Sequence, residues 1–267
     1  MPSLRIRHLA FLPIALGSCS TSSDAVEIVQ DAPGDIKLRA NYFRQDYNAA
    51  LPTLILVHQP GTDRSRADFE SVWEPLRSAG YNLLAPDLRS HGTSDVAGTV
   101  EELALDLDGY PVDILTWIDF LASRQEAGDP VDIEHLGLIA MGTSASIGTS
   151  VLGYGHVRCL VAMSPTLEEV NAFASAIPPV GDDDDSASGD DDDSAGGDLP
   201  AGLDLHDALW GYGTEHAAAA AAVSILRDAT DDPTGELAAE GDLRGIEILW
   251  ENDANKDAIT GWCSDKL

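Results

Sequence analysis

The chain predicts an α/β fold in which helices cover both faces of a mostly parallel central sheet. Three observations carry this. Residues 53–58 and 135–141 are short, continuous apolar runs. A strand covered on both sides reads this way, whereas a half-exposed strand alternates. Between them, apolar residues recur at helical spacing: Phe69, Val72, Trp73 and Leu76, then Ile114, Leu115, Ile118, Leu121 and Ala122. The two kinds of segment alternate as βαβαβαβ, the order that parallel strands require because each crossover must run back over the sheet.

Taken in order, 25–30 and 36–44 pair as an opening hairpin around Pro33-Gly34-Asp35. Residues 53–58 form the first covered strand. Ser65 caps the next helix, with Asp68 three positions on, and Gly80 ends it. Residues 81–86 are a strand, and the stripe from Ile114 to Ala122 is a helix. Residues 135–141 are a strand, 145–154 a short helix and 158–164 a strand. Further on, 206–212 and 245–250 read as the last two strands, the latter with Ile246, Ile248 and Trp250 on one face. Alanine-rich 215–227 and residues 254–263 read as their helices.

A length of 267 residues with 44% hydrophobic content is enough for one large core. The formal charge is −31 with only three lysines, which repels nucleic acid and excludes a nucleic-acid partner. Nine aspartates and no basic residue fall within 182–198. There Gly181-Asp-Asp-Asp-Asp-Ser-Ala-Ser188 is followed by Gly189-Asp-Asp-Asp-Asp-Ser-Ala-Gly196. Like charges without apolar residues cannot offset their ordering entropy, so 181–200 is expected to be a disordered insertion. Four adjacent aspartates lack the spaced ligands and internal glycine of a calcium loop.

The first 18 residues have a basic start (Arg5, Arg7), an apolar stretch from Leu9 to Leu16, and then Leu16-Gly17-Ser18-Cys19. The apolar stretch is too short to span a bilayer. The segment resembles a bacterial lipoprotein signal. It implies a signal peptide over 1–18, lipidation of Cys19, a tether over 19–24 and a domain over 25–267. Ser20 rather than aspartate follows, which favours the outer membrane or cell surface. Acyl anchoring would make the membrane a partner through Cys19. Cys159 and Cys263 remain, and an oxidising compartment permits them to pair. The sequence does not bring them together, so Cys159 reads as a buried strand residue and Cys263 as unrelated. No Cys/His spacing fits a zinc site.

Two stretches carry a narrower resemblance: His58-Gln-Pro-Gly-Thr-Asp-Arg-Ser65 and Ala79-Gly-Tyr-Asn-Leu-Leu-Ala-Pro-Asp-Leu-Arg-Ser-His-Gly-Thr-Ser94. They resemble α/β-hydrolases, in particular bacterial dienelactone-hydrolase-like and esterase-like members, over about 50–167 and only weakly afterwards. The resemblance implies a serine hydrolase acting on a small ester-like substrate. Gln59 would give one oxyanion-hole N–H, and His91 would be structural. No cofactor signature appears.

The nucleophile elbow is expected in Met141-Gly-Thr-Ser-Ala-Ser-Ile-Gly148. A serine on a sharp strand-to-helix turn needs tiny residues two before and two after it. In one register Ser144 is the nucleophile with its leading Gly142 intact, and Ala145 gives the second N–H. In the other, Ser146 is the nucleophile with its trailing Gly148 intact, and Ile147 gives it. Helix length favours Ser144; the local wording of related esterases favours Ser146. The rest of the triad departs from the pattern. Chain order in this fold is Ser, acid, His, yet no histidine follows His216, and Asn255 or Lys256 stands where the base belongs. Glu215 is the candidate acid, with Glu168 as a migrated alternative. His216 is the candidate base, and His206 a weaker one. Two functions remain open: a lipid-anchored serine hydrolase, or an inactive protein of the same fold, with a degenerate C-terminal third, serving as a binding or envelope module.

Overall fold

The structure is a computed structural model. It describes residues 25–70, 72–98, 109–152, 156–176, 208–213, 223, 235–239, 258 and 262. The signal, the tether and the aspartate repeat lie outside the described residues, as do Glu215, His206, His216, Asn255 and Lys256.

Among the described residues, eight strands form one sheet: β1 (Val26–Ala32), β2 (Ile36–Phe43), β3 (Leu51–Val57), β4 (Asn82–Asp87), β5 (Val131–Met141), β6 (Val157–Met163), β7 (Ala208–Gly213) and β8 (Gly235–Ala239). Their order is β1-β2-β4-β3-β5-β6-β7-β8. β2 is antiparallel to both β1 and β4; every other pair is parallel. The helices described in full are α1 (Trp73–Ser78), α2 (Gly109–Glu126), α3 (Thr143–Leu152) and α4 (Leu167–Ala176).

The central strands explain their own composition. Alternate residues face opposite sides, and both sides are covered. Ile55, Val57, Leu138, Ala140, Leu160 and Ala162 join Trp117 and Ile118 of α2 and Ala145 and Ile147 of α3 in one cluster. Leu54, Leu56, Ile139, Met141, Val161 and Met163 join Phe69 and Leu76 on the other side. Each fully buried aliphatic side chain contributes about 1.5–3 kcal/mol.

The expected hairpin is present, with Asp35 in a left-handed conformation at its turn. Three details differ from the sequence expectations. The segment capped by Ser65 is a 3-10 turn over Arg66–Phe69, followed by α1; the intervening Ser71 is outside the described residues. The described strand beside β7 is Gly235–Ala239, parallel to it, while 245–250 lies outside the described residues. Its sequence, Gly-Glu-Leu-Ala-Ala, lacks the β-branched and aromatic residues that mark strands. Cys159 is fully buried on β6 as expected but belongs to a disulfide, so it is not a free thiol. No helix among the described residues is long and apolar enough to cross a membrane.

Candidate functional site

Parallel strands β3, β4, β5 and β6 end on one edge of the sheet, and such folds place their sites in loops at that edge. Gly142 follows β5 directly, and α3 begins at Thr143. The whole reversal from strand to helix is therefore made at one residue. Gly142 has φ +56, in the left-handed region that side-chain-bearing residues avoid. The residues two before and two after it are Ala140 and Ser144, the small neighbours that a crowded elbow needs.

This fixes a register that neither sequence alternative uses. The apex of the elbow is glycine. A Cβ built on Gly142 would lie 2.5 Å from Gln59 Cδ and 2.6 Å from its Oε1. The Gln59 amide thus fills the space into which an apical side chain would project.

Both candidate serines point inward. Ser144 is fully buried, and its hydroxyl donates to the His58 carbonyl at 2.7 Å, tying the elbow to the end of β3. Ser146 is also fully buried. Its Oγ accepts from Thr166 N at 3.1 Å and donates to Glu169 Oε2 at 3.1 Å. The expectation that one of them is presented at the apex is therefore corrected. A β5 that runs through Met141 into a one-residue turn leaves positions 144 and 146 inside the first turns of α3.

The oxyanion assignments shift with the register. Ala145 N donates to Gly142 O at 2.9 Å, and Ile147 is buried a full turn inside α3, so neither N–H faces the edge of the sheet. The residue after the apex is Thr143. On the β3 side, Pro60 has no N–H, and Gly61 N donates to His91 Nε2 at 2.9 Å. Of residues 59–61, only Gln59 is left with an amide N–H for that role. Gly148 serves packing: a Cβ there would sit 3.0 Å from both Leu138 and Leu160.

Four imidazoles are described. The fully buried His58 donates from Nδ1 to Gln59 O (2.9 Å) and accepts Leu88 N–H at Nε2 (3.1 Å). Burial pushes its pKa down to about 4 and keeps the ring neutral. His91 donates to Arg89 O at 2.7 Å and accepts from Gly61, and burial again lowers its pKa. It orders a loop, the structural role the resemblance implies. His135 pairs with Asp132 on β5, and His156 precedes β6. Both stand toward the amino ends of their strands. None of the four has a ring nitrogen bonded to a serine hydroxyl at this site.

The sequence reasoning missed Glu169. Its carboxylate accepts from Thr143 Oγ1 (2.8 Å), Thr166 Oγ1 (2.7 Å) and Ser146 Oγ, joining the elbow to the start of α4. The signal was legible: Thr166-x-x-Glu169 is a capping-box pattern, and Glu169 N donates to Thr166 Oγ1 at 3.4 Å. The sequence alternative Glu168 is exposed. Among the described residues, no cluster of three or more His, Cys, Asp or Glu is placed to hold a metal ion.

No family model and no curated protein matches the chain. Solved structures do. The Pyrococcus furiosus esterase Pf2001 superimposes with a TM-score of 0.64 at 15% identity, covering 92% of this chain and 94% of that one. XC6422 from Xanthomonas campestris, an α/β serine hydrolase without a lid, gives 0.58 at 15% identity, covering 90% and 95%. With the mostly parallel sheet, its strand order and the strand-to-helix elbow after β5, these likenesses show that the chain has the α/β-hydrolase fold.

Proposed function

We propose that this chain is an extracytoplasmic, lipid-anchored protein of α/β-hydrolase fold that has lost the serine nucleophile and acts as a binding or envelope module. The observation that carries the reading is the elbow: Gly142 at the apex, with the Gln59 side chain lying over it. Nucleophilic catalysis needs an activated hydroxyl at that point, and an oxyanion hole without one has no tetrahedral intermediate to stabilise. The departure of Asn255 and Lys256 from the pattern of the family's base supports the same reading.

The lipobox around Cys19 supports the location. The disulfide at Cys159 fits an oxidising compartment outside the cytoplasm. Incorporation of an alkyne fatty acid tests the anchor. Labelling is expected in the wild type and absent in Cys19→Ala, whose product would leave the membrane fraction.

A second reading, hydrolysis of a small ester through Ser144 or Ser146, is favoured by one contact, the Ser146 hydroxyl bonded to the Glu169 carboxylate. It requires that hydroxyl to leave the interior, with His206 or His216 supplying the base and Glu215 the acid. A fluorophosphonate probe separates the two readings. Folded wild-type protein is expected to remain unlabelled while an active serine hydrolase in the same tube reacts. Labelling abolished by Ser144→Ala or Ser146→Ala would establish the hydrolase and end the first reading.

A further inference from the structure

Cys159 lies on β6, fully buried, and is disulfide-bonded. The chain has two other cysteines, Cys19 and Cys263. We infer that the partner is Cys263, so that a cross-link fastens the C-terminal segment to the middle of the sheet.

One observation selects it, and the lipid anchor of the proposed function, on which the second step rests, leaves the same pair. Trp262, the residue before Cys263, packs against the apolar cluster that contains Cys159, Val161 and Met163. The chain neighbour of Cys263 thus stands on the same face of the sheet as the Cys159 side chain. Disulfide bonding needs Cα atoms within about 7 Å, a range that adjacent placement allows. Separately, lipidation would convert the Cys19 sulfur to a thioether and remove it from pairing. The three cysteines then divide without remainder into one anchor and one bridge.

The chemistry balances. Each thiol gives up one proton and one electron as the S–S bond forms. Both electrons pass to the disulfide of an extracytoplasmic thiol oxidant, which leaves as the dithiol. Cys159 has no solvent exposure in the fold, so the bond closes before or during docking of the C-terminal segment. The bridge spans on the order of a hundred residues, the kind of long loop whose closure most restricts the unfolded chain. It also encloses Asn255 and Lys256, the positions where the fold's base belongs.

Tryptic mapping of the mature protein isolated from the cell envelope, alkylated under denaturing conditions without reductant, tests this directly. Trypsin leaves Cys159 in residues 159–227 and Cys263 in 257–266, with Cys19 in a third peptide. The expected result is a linked 159–227/257–266 pair that separates on reduction, with no alkylated cysteine beforehand. A linkage of 159–227 to the Cys19 peptide, or an alkylated Cys263, overturns the inference. Thermal unfolding gives a second reading that survives if Cys159→Ser folds poorly. Cys263→Ser is expected to lower the melting temperature by several degrees, as much as reduction lowers the wild type's, and reduction should not lower the variant's further. A further fall in the variant on reduction would contradict the pairing.

Discussion

A side chain at position 142 would have to share space with the Gln59 amide and hold a φ of +56. The two costs separate. A left-handed conformation costs a side-chain-bearing residue about 1–2 kcal/mol wherever it occurs. The collision is with the far end of a flexible side chain, which can move. Gly142→Ala is therefore expected to lower stability by about 1–2 kcal/mol in urea unfolding. Adding Gln59→Ala should recover only the collision part, so the two substitutions will not add. Gly92 makes the contrast. It too is left-handed, φ +52, but a Cβ there would overlap the Asp87 carboxylate. That carboxylate is held by the backbone N–H groups of Arg66 (2.8 Å) and Thr93 (2.9 Å) and cannot yield. Gly92→Ala is expected to cost clearly more than Gly142→Ala. Equal costs would mean that Asp87 is not fixed. Gly142 explains why neither serine register matches the turn. The motif is sought by starting from a serine and asking for glycine around it. Geometry starts from the turn and asks which residue stands at its apex.

Among elements, the loops after β3 and β4 are ordered by two neutral imidazoles whose rings lie 5.1 Å apart. Unfolded His58 takes up its proton near 6.5; in the fold it does so only near 4. Between those values the unfolded chain holds more protons. The His58 contribution is therefore full above about pH 6.5 and is lost as pH falls toward 4. From pH 6.5 to 5, where ordinary carboxylates are still ionised, His58 alone is expected to remove about 2 kcal/mol. Urea midpoints over that range measure it together with the His91 contribution, which has the same sign; a flat profile would show that neither ring is held neutral. The other tie is the Arg89–Asp113 pair between the β4 loop and α2. Asp113 is fully buried and accepts Arg89 N–H at 2.8 Å and the guanidinium at 2.7 Å. Removing one partner of a buried pair strands the other charge, so Asp113→Ala is expected to cost about 3–5 kcal/mol. A surface-like loss below about 1 kcal/mol would exclude that role. β3, β5 and β6 were legible in the sequence because burial on both faces writes itself into composition, and α2 because its apolar stripe recurs at helical spacing. β8 was not, because its pairing with β7 overrides an alanine-rich, weakly strand-forming sequence. α4 was missed although its capping pattern was present.

For the whole molecule, the dominant quantity is a net charge of −31, to which the nine aspartates of 182–198 contribute nearly a third. Self-repulsion of this size opposes the compact state, and salt weakens it. The screening length falls from about 30 Å at 0.01 M to about 10 Å at 0.1 M, well within the span of one domain. Most ion pairs in the described residues are surface pairs such as Lys37–Asp31 and Arg77–Glu74, each worth about 1 kcal/mol or less. Their loss to screening is too small to reverse the gain. The melting temperature is therefore expected to rise by several degrees between 10 and 150 mM NaCl, a range chosen from those screening lengths. Asparagine at 182–185 and 190–193 removes eight of the charges while keeping the chain length. This variant should show the same sheet and helix content by circular dichroism, a smaller salt response and a higher melting temperature at low salt. A melting temperature that falls with added salt would mean that attractive pairs outweigh the repulsion. A salt response unchanged in the variant would mean that the repeat's charges lie beyond the screening length from the rest of the fold.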